Sequence, residues 1–361
     1  MSRMSRTLVL LLTLSSIPAL SQSFDCKLAA TPREKTICAD TRLQALDAEL
    51  AAAYKSLRAQ LSPASADLVQ SDQREWLRWL DLVCPTHGKG IADNQTRCLQ
   101  NQYFTRVHDL QHIAHLGSNV IFVRSHFLYK SGVPDDKNAA PNNPGFGFGA
   151  LRWPQIDVAA FRPYPPAFDS FNEDAKSRAE QLAVGFSQFK EPTFENSVDA
   201  SGIIDAYYQV EAANSRIIEI TFIDGTYPWG AAHPTADSSS FLYWLDRNRA
   251  LTPTDVFLPN SGWQQKLVPL AIASLQSNAN IKDMLWKGDE LQKAVTLGIA
   301  AGPINWTLTR DNLTITFGQY AVGPYVLGMP QAHIPWDQLT PYLEPTLNPA
   351  TLPAPIPKTN P

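Results

Sequence analysis

The stretch "TYPWGAAHP", residues 226–234, concentrates side chains able to do chemistry. His233 has the pKa range of a general base and the ring nitrogens of a metal ligand, and Asp224 and Asp237 flank it. Hydrolysis needs a fuller set: nucleophile, base and oxyanion donors. The chain has no GxSxG, no HExxH and no metal-spaced histidine partner near His233. The two aspartates stand where turn residues belong. The other reading of the stretch is a rigid turn in which Pro228, Gly230 and Pro234 fix the chain and the imidazole bonds backbone. Tyr227, Trp229 and His233 then face either a partner or the core. No enzyme activity, cofactor or metal is expected from these residues.

A second segment, "QYAVGPYVLG", residues 319–328, sets Tyr320, Pro324 and Tyr325 beside Gly323. Tyrosine next to proline and glycine makes a rigid, amphipathic anchor for a partner. A bent strand packing its rings inward is the alternative. "HDLQHIAH" spaces His108, His112 and His115 along one helical face, where two could hold a transition metal. Cations also suit a helix C-terminus, which explains the cluster without a metal. "GFGFG", residues 145–149, follows "PNNP" and opens no helix, so it is not read as a nucleotide loop. Glu34, Asp47 and Arg106 are expected to cap and brace helices.

These groups need elements to position them. "MSRMSR" followed by the apolar run "TLVLLLTLSSIPAL" reads as a secretory signal over residues 1–22, with cleavage near Ser21 or Ser23. The expected location is periplasmic or secreted. No later segment reaches the roughly 18 apolar residues a membrane helix needs, so no transmembrane span is expected after cleavage. Net charge is −4, and losing Arg3 and Arg6 with the signal takes it to about −6. That balance disfavours nucleic acid and suits a basic protein partner. Cys26, Cys38, Cys84 and Cys98, an even set in an exported chain, read as two disulfides. Pairing within each sequence neighbourhood and pairing across the helices are both feasible. A hydrophobic content of 44% marks a globular chain, and 361 residues suffice for about two domains.

Residues 24–116 read as a disulfide-stapled three-helix bundle. Leu43, Leu46, Leu50, Tyr54, Leu57 and Leu61 recur at helical spacing, and Asp40 or Thr41 can cap their helix. Two further helices carry Trp76, Leu80 and Val83, then Leu99, Tyr103 and Val107. Residues 117–345 read as an α+β domain with an antiparallel sheet and helices. "NVIFVRSHFLY", "GIIDAYYQVEA", "RIIEITFID" and "SSFLYWLD" are strands, "GWQQKLVPLAIASLQ" and "KDMLWKGDELQKAVTLG" are helices, and "NWTLTRDNLTITFG" is a hairpin. Residues 132–150 form a long polar, Gly/Pro-rich loop. Residues 346–361 are a proline-rich tail, expected to be extended and unpacked.

"DCKLAATPREKTIC", "LQALDAELAAAY", "QREWLRWLDLVC" and "CLQNQYFTRVHDL" together resemble the N-terminal domain of LprI-type lysozyme inhibitors. "YPWGAAHPTADSSSFLYWLDRNRALTPTDVF", "NLTITFGQYAVGPYVLG" and "HIPWDQLTPYL" resemble the lysozyme-sensing extracytoplasmic domain of RsiV-type anti-sigma factors, a module that also accompanies some peptidoglycan deacetylases. Only six residues precede the apolar run, so the sigma-holding role is not expected to carry over. The resemblance implies a cell-envelope binding protein whose partner is a lysozyme, inhibited by occlusion of its cleft. A peptidoglycan- or glycan-binding module, with Trp229, Trp244 and Trp306 stacking on sugars, is the alternative. A cell-wall enzyme using His233 and Asp237 is the third reading.

Overall fold

The computed structural model describes residues 23–84, 91–132, 145–157, 165–183, 198, 202–354 and 356. The signal expected over 1–22 and the middle of the 132–150 loop lie outside these residues.

Helix α1, Pro32–Ala39, starts from a capping box: Thr31 accepts from the Glu34 amide, and Glu34 reaches back to the Thr31 amide. Helix α2, Thr41–Gln60, is capped by Asp40, which accepts from Leu43 N at 2.7 Å. Its Leu43, Leu46, Leu50 and Leu57 are buried, as the helical spacing requires. Pro63 opens α3, Pro63–Val83, behind the Ser62 cap. Helix α4, Ile91–Gln111, packs mainly on α2. The bundle thus has its three long helices plus the short α1. Disulfides join Cys26 to Cys38 and Cys84 to Cys98, the local pairing of the two alternatives.

The chain then builds a seven-stranded sheet in sequence order. Its strands are β1 Ala114–Leu116, β2 Asn119–Ser131, β3 Phe146–Ile156, β4 Gly202–Ala213, β5 Ile217–Pro228, β6 Thr235–Trp244 and β7 Arg249–Ala250. Every pairing is antiparallel except β3 with β4. A parallel pair needs a crossover, and helix α5, Pro166–Ala183, supplies it. Phe168, Phe171, Ala175 and Ala179 form its buried stripe.

The last third adds helices α6, Trp263–Ser277, and α7, Gly288–Ala300. It also adds a three-stranded sheet in the order β10-β9-β8: β8 Trp306–Leu308, β9 Asn312–Thr316 and β10 Gln331–Pro335. The large sheet separates two cores. Ile218, Ile220, Phe222, Phe241 and Tyr243 face the core shared with α2–α5. Ile217, Leu242 and Trp244 face the core built by α6, α7 and the small sheet. Alternation along β5 and β6 sends neighbours to opposite sides, the period-two rule of a strand buried on both faces.

Helices and sheet share one core, and buried polar groups stitch the seam. Asp72 takes both Arg124 Nε, at 2.8 Å, and the Ser125 amide. Arg152 bridges Asp109 at 2.6 Å and Asp205 at 2.5 Å. Asp157 accepts from the Ser62 amide, Ser62 Oγ and Ser65 Oγ. Arg106, wholly buried, donates to Gln73 Oε1 and Ser125 Oγ, the bracing role expected of it.

Several expectations are corrected. Residues 146–150 are strand, not loop: Phe146 stacks on Tyr129 of the paired strand and on Phe148, and Phe148 meets Trp79 of α3 edge to face. Helix α4 ends at Gln111, so His115 sits on β1 rather than on a helical face with His108. His108 and His112 stack at 5.7 Å. Residues 346–354 are not unpacked, because Leu347 and Leu352 enter the second core. Among the described residues no helix is long and apolar enough to cross a membrane.

Candidate functional site

The turn joining β5 to β6 and the segment after β9 converge on one surface. Gly230 takes a φ of 84°, a left-handed conformation that glycine adopts without strain, and so lets the chain reverse after Pro228. Gly323 is demanded by crowding: a Cβ there would overlap the Leu327 side chain and come within 2.9 Å of the Met284 carbonyl oxygen. A bulkier residue would push the following Pro324 and Tyr325 away from the β5–β6 turn.

With those two backbones fixed, the His233 and Tyr325 rings stack, centroids 4.0 Å apart. The Tyr325 hydroxyl donates to the Pro234 carbonyl at 2.9 Å, and His233 Nδ1 lies 3.0 Å from the same oxygen. Tyr320 leans on Tyr325 at 5.7 Å and remains 50% exposed. It does so at a φ of 62°, uncommon for a tyrosine and a local strain of the kind found at binding loops. Pro324 is half-buried and Val326 is 72% exposed beside it. His233, Tyr320, Pro324 and Tyr325, widely separated in sequence, therefore form one patch.

Tyr227 and Trp229 belong to a neighbouring cluster. Their rings meet edge to face at 6.0 Å, and Trp229 also meets Phe146 and Phe148. The indole N–H donates to the Phe146 carbonyl at 2.5 Å. Trp229 thus ties the turn to β3 more than it offers a free face. Its platform, the "FGFG" segment, was legible only as a repeat of aromatic and glycine at strand period.

The catalytic reading gains no geometry. Among the described residues no ion pair joins His233 to an acid, and its ring is engaged by Tyr325 and Pro234. Asp237 instead stands directly across from Asp224 on the paired strands. Burial, reinforced by the Asp237 charge, pushes Asp224 up to about 7. The pairing was hidden in the sequence because it depends on hairpin register, not on spacing. Two of the three tryptophans expected to stack on sugars are buried. Trp306 is 0% exposed, edge to face with the stacked Phe257 and Trp263, and Trp244 is 2% exposed beneath Arg247. Among the described residues no group of three or more His, Cys, Asp or Glu is placed to hold a metal.

Comparison with known proteins gives two family matches. Residues 26–110 match the family described as lysozyme inhibitor LprI. Residues 254–337 match a family described as a protein of unknown function (DUF3298). The chain therefore carries an LprI lysozyme-inhibitor domain toward its N-terminus and a DUF3298 domain toward its C-terminus. The second match includes Tyr320, Pro324 and Tyr325 but not the β5–β6 turn. No curated protein matches the chain. A DUF3298 family protein from Pseudomonas aeruginosa PAO1 is 15% identical, with 67% of this chain and 98% of that one covered, at a TM-score of 0.41. A member of that family from Bacteroides fragilis NCTC 9343 is 14% identical, with 63% and 95% covered, at a TM-score of 0.37.

Proposed function

We propose that this protein binds lysozyme outside the cytoplasm and inhibits it by occluding the substrate cleft. The observation that carries this reading is the convergence of exposed Tyr320 and half-buried Pro324, Tyr325 and His233 on one surface patch, in a chain whose residues 26–110 match a lysozyme-inhibitor family. Tyr325 is held by a stack and a hydrogen bond, so it loses little freedom on binding, which favours a hot-spot role. The acidic net charge favours encounter with a basic lysozyme. Two disulfides support residence in an oxidising compartment, periplasmic or secreted.

The division into residues 24–116 and 117–345 belongs to this reading. The first unit supplies the inhibitor-type scaffold. The second acts as an RsiV-type sensing module and presents the patch. The glycan-binding alternative is weakened by the burial of Trp244 and Trp306.

The test is calorimetric titration of the oxidised mature protein with a basic lysozyme and, separately, with purified peptidoglycan, alongside an assay of cell-wall lysis. Binding to the enzyme with loss of lysis supports the reading. Retention on peptidoglycan with no affinity for any lysozyme type rejects it.

A further inference from the structure

The hairpin "WTLTRDNLTIT", residues 306–316, alternates threonine with large apolar residues, so each of its strands has one polar face. Trp306, Leu308, Leu313 and Ile315 enter the second core. The opposite face, with Thr307, Thr309 and Thr316, turns toward the large sheet. The large sheet meets it with a polar row of its own. Gln209 lies opposite Thr221, and Thr221 opposite Ser240, so β4, β5 and β6 set these side chains side by side. Glu219 fixes the corner between the two faces. It accepts from the Leu308 amide of β8 at 3.0 Å, and the Thr307 hydroxyl donates to it as well.

Between the two polar faces lies a cavity of about 300 Å³, at the lower end of the range for small-molecule sites. Among the described residues, the side chains of Gln209, Thr221 and Ser240 bond no protein group, and their polar atoms are open to solvent rather than sealed in. Hydroxyls and carboxamides both donate and accept, which matches a ligand whose own groups do both. A hydrocarbon ligand would leave those groups unpaired, at a cost. The lining holds no lysine, arginine or histidine and includes Glu211 and Glu219, so an anion finds no counter-charge there. Burial pushes Glu219 up to about 8, which keeps it mostly uncharged at neutral pH and removes its pull on a cation. Ile223 and Met329 add apolar surface suited to the C–H groups of a ligand.

We propose that this inter-sheet cavity binds a small neutral sugar. Its hydroxyls exchange hydrogen bonds with Gln209, Thr221 and Ser240 on one wall and with the threonines of the hairpin on the other. Glu219 acts as a positioning residue that holds the walls at their angle. No tryptophan takes part, so the burial of Trp244 and Trp306 does not bear on this site. The cavity shares no lining residue with the His233–Tyr325 patch, and it stands or falls apart from the lysozyme reading.

The test titrates the oxidised, isotope-labelled full chain with N-acetylglucosamine and follows backbone amide shifts by NMR. Saturable shifts are expected at Thr221, Ser240 and Thr307. Glucuronate, an anion, and cyclohexylmethanol, which lacks the ring hydroxyls, are each expected to bind at least about tenfold more weakly, and glucosamine no more tightly. Thr221→Val keeps the shape and removes one hydroxyl, so severalfold weaker binding is expected. Adding Gln209→Leu is expected to bring the loss to at least about tenfold with the circular dichroism spectrum unchanged. Tyr325→Ala is expected to bind the sugar as wild type does. No saturable binding of N-acetylglucosamine, shifts confined to other parts of the chain, tighter binding of glucosamine, comparable binding of glucuronate or cyclohexylmethanol, or wild-type affinity in the folded double variant would overturn the proposal.

Discussion

The seam between helices and sheet and the tip of the β5–β6 hairpin treat charge in opposite ways. At the seam, Asp72, Asp109 and Asp157 are buried against Arg124, Arg152 and the Ser62 and Ser65 hydroxyls. Toward the tip, Asp224 is buried facing Asp237 across the strands, and is pushed up to about 7. Paired carboxylates fix two layers to each other. A carboxyl buried beside another carboxyl, with no cation to meet it, has its pKa raised instead. The same contrast extends to rings. Trp76 and Tyr103 close the helical core at 5.2 Å, whereas Tyr320 leans on Tyr325 where solvent reaches it. The seam is scaffold, and the tip is the surface proposed to meet a partner.

The strongest way to break this comparison is Arg152→Met. It removes the nearer cation of buried Asp109 and leaves only Arg106, at 3.9 Å, so unfolding in urea is expected to show a loss of about 3 kcal/mol. A loss under about 1 kcal/mol would mean that the seam is not held by its ion pairs. Next, Cys84→Ser with Cys98→Ser opens a loop of 14 residues and is expected to cost about 3 kcal/mol in the same experiment. Lysozyme affinity of the refolded variant should stay close to wild type, because the bridge lies in the helical part.

The third prediction concerns pH. Asp224 and Glu219 have folded pKa values above those of the unfolded chain, with burial the leading cause and Glu219 pushed up to about 8. The folded state therefore holds protons that the unfolded chain has released. Their contribution is complete below the unfolded pKa and is lost as pH rises through about 7 for Asp224 and about 8 for Glu219. Asp224→Asn is expected to flatten the decline in melting temperature between pH 5 and pH 8 by a few degrees relative to wild type. Parallel wild-type and variant curves would show that Asp224 keeps its charge in the fold. The smallest effect is expected at Tyr320→Gly. Relief of the left-handed backbone changes stability by less than about 1 kcal/mol, while removal of the ring weakens partner binding. A large destabilisation there would assign Tyr320 to the core instead.

The sequence reveals local features better than register. Asp40 as a cap, the Leu43–Leu57 stripe and the β8–β9 hairpin follow from spacing and turn chemistry alone. Helix α5 is hard to read from the sequence although Phe168, Phe171, Ala175 and Ala179 follow helical spacing, because proline and charged residues surround them. The packing of segment 346–354 is not legible locally, because its prolines mask two isolated leucines, Leu347 and Leu352, which find a core built by distant elements. His233 and Tyr325 were each legible as residues of interest. Their stacking depends on the fold bringing two turns together across roughly ninety residues, and no local pattern encodes that.

The measurement that bears most directly on the central claim is the affinity of a basic lysozyme for the wild type and for Tyr325→Ala, read by calorimetry on oxidised protein. Tyr325→Ala is expected to lose at least tenfold in affinity, and more than Tyr325→Phe, which keeps the stack on His233 but not the bond to Pro234. Thermal unfolding of both variants should stay near wild type. Unchanged lysozyme binding in a folded Tyr325→Ala protein would contradict the assignment of this patch as the partner-binding surface.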